Sequence, residues 1–193
     1  MPAPTIIRGD QLVVVVVDVQ ERLAAAMERR DEVESAVALL AGAAGVLGAP
    51  LVVTRQNPEG IGDLTPRVAE VLAEAEASGT EVLRVDKMHF CCASEVAFSN
   101  ALAATSRHHI VIAGMETHIC VAQTALALHS VGMLVHVLAD GCCSRRGRDH
   151  DVALDRLRAA GVTVTTTEAA IYEALGRAGT DEFRAVLRLV KNA

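Results

Sequence analysis

A carboxylate, an ammonium group and a thiol each follow a strand-like run in this sequence, and together these groups could carry out nucleophilic catalysis. Asp18 directly follows a run of five valines, Lys87 comes two residues after another apolar run, and Cys120 opens the helical segment after a third. The carboxyl ends of parallel strands meet at one edge of a sheet, where ligands bind in open α/β sheets. We therefore expect a base, a cation and a sulfur nucleophile to converge on one crevice.

The segment GMETHICVAQTA places Cys120 near the start of a helix. Gly114 ends the preceding strand, and Thr117 is predicted to cap a helix that holds Cys120 in its first turn. The positive end of a helix dipole lowers the pKa of a thiol and raises its thiolate fraction. We therefore predict a lowered pKa for Cys120, although free cysteines are often simply buried.

Asp18 stands where an ionised carboxylate is partly desolvated. Burying that charge is costly unless a cation compensates, and Lys87 is the expected cation. Two plainer interpretations stay open at this stage. Asp18 is also suited to cap a helix that starts near Gln20-Glu21, and most lysines are solvated surface charges.

The composition predicts one domain over residues 1–193. The chain has no Trp, one Tyr and three Phe, so its core must consist of Val, Leu, Ala and Ile, which suits a parallel sheet covered by helices. The net charge of −6 and the lack of a dense basic cluster argue against a nucleic-acid partner. The apolar run Leu12–Val17 is too short for a membrane span and no signal-peptide pattern occurs, so we expect a cytoplasmic protein without a membrane partner.

The cysteines and histidines do not form a metal motif in sequence. Five cysteines include the adjacent pairs Cys91-Cys92 and Cys142-Cys143 but no C-x-x-C spacing, and no two histidines have the i, i+4 spacing of a helical zinc site. The glycine-rich phosphate motifs of dinucleotide and nucleotide sites are also missing. We therefore expect neither a metal nor a cofactor.

Strand-like and helical segments alternate along the whole chain, which predicts a parallel sheet with helices on both faces. Asp31 with Glu34 resembles a capping box, Thr65-Pro66 opens another helix, and Arg55–Asp63 reads as a mobile loop at the active site. The predicted strands are Leu12–Val17, Leu51–Thr54, Glu81–Val85, His109–Ala113, Leu134–Leu138 and Val162–Thr165.

Three motifs in order, VVVVDVQ, VDKMHF and AGMETHICVAQTA, resemble those of the isochorismatase-like, or cysteine hydrolase, superfamily. The resemblance extends over residues 8–190 and is nearest to isochorismatase-domain-containing hydrolases of unassigned substrate. It implies a Rossmann-like, three-layer α/β/α fold with a six-stranded, mostly parallel sheet. It also implies a homo-oligomer, a dimer or a tetramer.

The resemblance further implies an Asp-Lys-Cys triad that hydrolyses small amides or carbamoyl compounds. Asp18 would take the proton of Cys120, Lys87 would hold the charges, and a thioester would form and be cleared by water. A cis peptide at Met115–Glu116 and an oxyanion hole of the Glu116 and Cys120 N–H groups are implied in the same way. We expect the small-molecule substrate to be bound by Gln20, Leu23, Gln56, Phe90 and Thr117.

Departures from the family pattern narrow this hypothesis. The segment TRQNPEGIGD lacks the histidine of the nicotinamidase metal motif, so we expect a metal-independent enzyme. The presence of Cys120 favours the covalent branch over isochorismatases, which generally lack this cysteine. Two alternatives remain: an enol-ether hydrolase in which Cys120 is a spectator, and a non-catalytic redox or binding protein supported only by the adjacent cysteine pairs.

Overall fold

Six strands form a single sheet in which every neighbouring pair is parallel, in the order β3-β2-β1-β4-β5-β6. The computed structural model describes residues 6–192. The strands are β1 Leu12–Val17, β2 Leu51–Gln56, β3 Val82–Lys87, β4 His109–Met115, β5 Leu134–Cys143 and β6 Thr163–Thr165. The predicted six-stranded parallel sheet is confirmed, and no antiparallel strand joins it within this range.

Helices cover both faces of the sheet. They are α1 Glu21–Ala24, α2 Arg30–Leu47, α3 Pro58–Ile61, α4 Pro66–Ala77, α5 Val96–Ala104, α6 Ala122–Ser130, α7 Gly147–Ala159, α8 Thr167–Leu175 and α9 Asp181–Asn192. Short 3-10 turns at Gly9–Gln11 and Cys92–Ser94 and a π-helical turn at Thr117–Val121 complete the described elements. None of the helices in residues 6–192 is long and apolar enough to cross a membrane.

Alternate residues of the strands pack into two separate apolar cores. Val14, Val16 and Val111 pack with α2, α4 and α8 on one face, while Val13, Val15 and Ile112 pack with α5, α6 and α7 on the other. Strands buried on both faces read as continuous apolar runs, as the valines of β1 do. The three-layer α/β/α prediction is confirmed. The prediction of a single domain over residues 1–193 stays a prediction, since residues 1–5 and 193 lie outside the described residues.

Two local predictions are wrong. The capping box does not form: α2 begins at Arg30 after Arg29, and Glu34 is buried with its Oε1 unpaired among the described residues. The segment Arg55–Asp63 is not an open loop, because its first two residues end β2 and α3 follows. Arg55 also ties the segment down through ion pairs of 2.9 Å to Asp63 and 2.7 Å to Asp86.

Gly114 allows β1 and β4 to approach each other closely. Its φ is +135°, and a Cβ built there would lie 2.0 Å from the carbonyl oxygen of Val17. Only glycine adopts this backbone conformation without strain and leaves room for the neighbouring strand. Gly114 therefore does not end the strand, as predicted, but lies within β4 and permits the register Val17↔Gly114.

Candidate active site

The sheet reverses its winding direction between β1 and β4, the two central strands. Chain connections run towards β3 on one side and towards β6 on the other, and open α/β sheets bind ligands at the carboxyl ends of the strands where such a reversal occurs, here β1 and β4. Asp18 follows β1 directly, Lys87 is the last residue of β3, and Cys120 lies in the π-helical turn after β4. The predicted convergence at one sheet edge is therefore found, with Lys87 inside its strand rather than two residues beyond it.

Asp18 and Lys87 form a fully buried ion pair. Lys87 Nζ lies 2.6 Å from Asp18 Oδ2, and both side chains are 0% exposed. Thr54, a residue of β2, donates a hydrogen bond of 2.7 Å from its Oγ1 to Asp18 Oδ1. A buried carboxylate is stable only with such compensation, because an isolated charge pays the full cost of desolvation. The capping interpretation of Asp18 is wrong, since Gln20 is the residue that precedes α1.

The side-chain amides of Gln56 and Gln20 help to fix the position of Lys87. Its Nζ donates to Gln56 Oε1 at 2.7 Å, and Gln56 Nε2 donates to the Met88 carbonyl at 2.8 Å. Gln20 Oε1 accepts from Gln56 N at 2.7 Å, while Gln20 Nε2 donates to the carbonyls of Gln56 and Gly62. Burial is the largest single influence and opposes the charge of the ammonium group, but Asp18, Cys92 and Cys120 together outweigh it, and the pKa of Lys87 is raised. The lysine therefore stays a cation in this site.

Cys120 is buried, with 6% of its surface exposed. Burial raises the pKa of this thiol to about 12; the charge of Asp18 and a hydrogen bond with it add to the rise, and Lys87 opposes it. The predicted lowering of the Cys120 pKa is wrong for the resting site. The reason is that desolvation and a neighbouring anion both favour the neutral thiol.

The local structure around the cysteine also differs from the prediction. Thr117 does not cap an α-helix: its Oγ1 lies 2.9 Å from His150 Nδ1, and α6 begins only at Ala122. Residues 117–121 form a π-helical turn, a form that is frequent at functional sites. The Met115–Glu116 peptide bond is cis, as the resemblance implied.

Glu116 anchors the loop that follows β5. Its buried Oε2 accepts hydrogen bonds from Arg145 N at 2.9 Å and from Arg145 Nε at 3.1 Å. On the same turn, His118 Nδ1 lies 2.9 Å from Ser144 Oγ. The segment 116–118 is thus tied to the loop after β5 at two points.

With this geometry in place, the chain can be compared with known proteins. Residues 12–169 match the sequence profile of the isochorismatase domain. The chain belongs to the isochorismatase-domain family. The resemblance carried by the three motifs is thereby confirmed, and the fold is that of the isochorismatase-like family, whose members are generally hydrolases.

Named relatives of this isochorismatase-domain protein cover most of its length. Isochorismatase domain-containing protein 2 of Bos taurus is 33% identical over 175 residues, which is 90% of this chain and 80% of that protein. The structure of MAR1 ribonuclease from Caenorhabditis elegans is 30% identical with a TM-score of 0.85 and covers 96% of this chain and 92% of its own. The YcaC gene product of Escherichia coli, reported as an octameric hydrolase of unknown specificity, shares the fold at 22% identity and a TM-score of 0.85, over 96% of this chain and 89% of its own.

The residues expected to bind substrate occupy different environments in this isochorismatase-domain structure. Gln20 is fully buried with its amide bonded to backbone groups, Gln56 holds Lys87, and Thr117 faces His150. Leu23 is partly buried against the core, and Phe90 is 56% exposed. The contacts of the three polar residues support positioning roles, and substrate binding by this set stays a prediction.

Sequence reasoning missed two residues beside the ion pair. Thr54 ends the predicted second strand, and its place at a carboxyl end was the available signal. Cys92 is fully buried with its Sγ 3.9 Å from Thr54 Oγ1, and its N–H donates to Thr124 Oγ1 at 2.9 Å. No sequence pattern distinguishes Cys92 from Cys91. Within residues 6–192, no group of three or more His, Cys, Asp or Glu side chains is arranged to hold a metal ion.

Proposed function

We propose that this protein is a metal-independent cysteine hydrolase of a small amide or carbamoyl-type C–N bond, with Asp18, Lys87 and Cys120 as its catalytic residues. The observation that carries the proposal is the buried Asp18–Lys87 ion pair at 2.6 Å, with the Cys120 thiol under the influence of the same carboxylate. An ion pair with a purely structural role does not require a buried thiol whose pKa it influences. A nucleophile and its base need this neighbourhood.

In the first half of the reaction, Asp18 accepts the Cys120 proton as the sulfur attacks the carbonyl carbon of the substrate. Because the resting thiol has a raised pKa, proton transfer accompanies attack instead of preceding it. The carbonyl oxygen becomes an oxyanion, which the N–H groups of Glu116 and Cys120 would stabilise. When this intermediate collapses, the C–N bond breaks, the amine leaves with the proton from Asp18, and a thioester remains on Cys120.

In the second half, Asp18 removes a proton from water, which attacks the thioester. The C–S bond breaks, the carboxylic or carbamic acid leaves, and the sulfur regains its proton from Asp18. Lys87 keeps the carboxylate paired throughout, because its raised pKa holds it as a cation. The net reaction consumes one water and one amide and needs neither a metal nor a redox cofactor.

Assembly and location belong to the same proposal. We propose a homo-oligomer, a dimer or a tetramer, located in the cytoplasm. The likeness in fold to the octameric YcaC protein supports self-association. Exposed apolar side chains on this chain, such as Val96, Val131 and Val152, offer contact surface. Sedimentation velocity at several protein concentrations measures the state, and a monomer at all of them would exclude it.

The enol-ether alternative differs from the leading proposal in the role of the Cys120 sulfur. In an enol-ether hydrolase, Asp18 acts as the acid and Cys120→Ala leaves the activity intact. In a redox-responsive protein, reversible oxidation would occur at Cys91-Cys92 or Cys142-Cys143 and no thioester would form at Cys120. Both alternatives can be separated from the amide hydrolase by one set of variants.

The test uses the full chain with p-nitrophenyl acetate and a panel of small primary amides. We expect a burst of p-nitrophenolate, an acyl adduct on the Cys120 peptide by mass spectrometry, and turnover of at least one amide. Cys120→Ala should lower the rate by about 1,000-fold or more. Cys91→Ala is the matched control, because its half-buried thiol donates a hydrogen bond to the Gln123 carbonyl, 3.6 Å away, and has none with Asp18 or Lys87 among the described residues. Equal activity of wild type and Cys120→Ala would refute the proposal.

A further inference from the structure

His150 directly contacts the turn at residues 117–121 that carries Cys120, which we call the nucleophile turn. It belongs to the first half of α7 and is 5% exposed. Its Nδ1 is 2.9 Å from Thr117 Oγ1, and its Nε2 is 3.3 Å from Arg29 Nη1. The imidazole therefore bridges the residue before α2, the turn that carries Cys120, and α7.

The chemistry of these partners fixes where the imidazole proton resides. A guanidinium group has only donors, so Nε2 must accept from Arg29 and carries no hydrogen. The remaining proton of the neutral ring is then on Nδ1, where it is donated to Thr117 Oγ1. The reverse arrangement would place two donors against each other at Arg29.

Arg29 cannot easily turn away from this contact. Its Nε and Nη2 both donate to Glu32 Oε2, at 2.9 and 2.7 Å, which leaves Nη1 directed at His150. The hydrogen bond with Glu32 also raises the pKa of Arg29. This residue is thus a permanent and well-oriented donor, and the tautomer of His150 follows from it.

We propose that His150 is a positioning residue for the nucleophile turn, and that it acts as a neutral imidazole whose Nδ1–H is donated to Thr117 Oγ1. The inference rests on the proposed function, since the turn it holds presents the nucleophile Cys120. His150 does not touch the reacting atoms. Its effect on the reaction is to keep the turn at residues 117–121 in the conformation that places the thiol against Asp18.

Protonation of His150 breaks this arrangement. An imidazolium has donors on both nitrogens, so its Nε2–H would face the Arg29 guanidinium, a contact between two donors of the same charge. Burial is the first cause that lowers the pKa of His150; Arg29 and Arg158 add to it, while Asp151 and Glu32 oppose it. The ring therefore stays neutral at neutral pH, and in acid its repulsion from Arg29 weakens the position in which it holds Thr117.

Long-range ¹H–¹⁵N NMR of the full chain tests the tautomer without reference to catalysis. The His150 signals are identified by their absence from the spectrum of His150→Asn. We expect the Nδ1–H tautomer at neutral pH and a titration midpoint below that of an exposed histidine. Arg29→Met should raise this midpoint, because Arg29 is the charged neighbour that lowers the pKa of His150 most. An Nε2–H tautomer, or a midpoint that Arg29→Met leaves unchanged, would overturn the proposal.

Two variants of equal size separate positioning from simple packing. His150→Asn keeps a donor near the Nδ1 position but cannot titrate, whereas His150→Leu fills similar space with no donor. Loss of one buried hydrogen bond of about 1.4 kcal/mol corresponds to roughly a tenfold loss of rate. We expect the p-nitrophenyl acetate burst to slow about tenfold in His150→Leu and to stay within about threefold of wild type in His150→Asn.

The pH profile of the same burst completes the test. Between about pH 5 and pH 8, the rate of wild type should fall in acid more steeply than that of His150→Asn, which lacks the titrating ring. Equal slowing of both variants, or identical acid limbs, would contradict a positioning role. If wild type gives no burst at all, the proposed function fails, and the NMR tautomer alone then decides whether His150 holds Thr117.

Discussion

Thr54 Oγ1 donates a 2.7 Å hydrogen bond to Asp18 Oδ1, while Lys87 Nζ lies 2.6 Å from Asp18 Oδ2. The two oxygens of one carboxylate are thereby given different partners. Oδ2 is outside hydrogen-bonding geometry in the described structure although it is beside the ammonium group. The hydrogen bond from Thr54 sets the rotation of the carboxylate.

Thr54→Val removes this hydrogen bond without changing the size of the side chain. We expect the rate of acylation to fall about fivefold, because the carboxylate loses one fixed contact worth about 1 kcal/mol. Thr54→Ser retains the hydroxyl and should restore most of the rate. Stopped-flow measurement of the p-nitrophenolate burst checks both variants. Similar slowing in the valine and serine variants would point to packing at β2 instead.

Alkylation of Cys120 by iodoacetamide should be slow at neutral pH and still rising with pH at pH 9. With a thiol pKa raised to about 12, the thiolate fraction increases tenfold per pH unit throughout this range. Asp18→Asn should accelerate the labelling, since the carboxylate raises this pKa, and should abolish hydrolysis, since the base is gone. Peptide mass spectrometry distinguishes Cys120 from the other four cysteines. A plateau near the ordinary thiol pKa would contradict the buried-thiol interpretation.

The sequence predicted where the reactive groups would meet but not their protonation state. Asp18, Lys87 and Cys120 could be placed together because apolar runs reveal strands, and parallel strands share a carboxyl edge. The pKa of Cys120 depends instead on burial and on the distance to Asp18, which no local pattern records. The predicted position of Cys120 in the first turn of a helix suggested a lowered pKa and a thiolate. Burial and the charge of Asp18 raise this pKa instead.

The capping predictions failed for a related reason. Thr117 and Asp31 have side chains suited to cap a helix, but a distant partner engages Thr117, and Asp31 lies inside its helix rather than before it. Thr117 bonds to His150, and α2 already begins before Asp31. The importance of Thr54 was likewise invisible until β1 and β2 were paired in register, because a threonine at a strand end has no chemical signature of its own.

Gly114→Ala should prevent folding or destabilise the protein by more than about 3 kcal/mol. The added Cβ would lie 2.0 Å from Val17 O and 2.7 Å from Val17 N, at a φ of +135°. Gly147→Ala is the control, because a Cβ at the first residue of α7 meets no atom within 4 Å. Urea unfolding followed by circular dichroism measures both changes. Equal stability of the two variants would show that β1 and β4 can move apart at little cost.

The protein should lose stability in mild acid through His136, which stacks on His109 with ring centroids 6.1 Å apart. Burial, and then the charge of His109, lowers the pKa of His136 from 6.5 to about 4. The unfolded chain therefore binds a proton that the folded chain excludes, so stability is complete above about pH 6.5 and falls towards pH 4. At pH 5 the loss is on the order of 2 kcal/mol.

His136→Leu should remove the His136 share of this acid sensitivity, since it replaces an imidazole that has no hydrogen-bond partner among the described residues. His109 and His150, whose pKa values are also lowered, keep theirs. His108→Gln, at an exposed neighbouring position, should retain the acid sensitivity. Urea midpoints at about pH 7.5 and pH 5 compare the three proteins. An unchanged difference between the two pH values in His136→Leu would assign the acid sensitivity to another group.

The pairing of Val17 with Gly114 joins residues about 100 positions apart in the chain, and Asp18 lies directly beyond it. Contacts of such high sequence separation form late, because the intervening loop must first be closed. A growing polypeptide on the ribosome therefore holds the valine-rich β1 strand without one of its two neighbours until β4 has emerged. During that interval the site around Asp18 has not formed. The partly unpaired apolar strand is then exposed to chaperone binding or to aggregation.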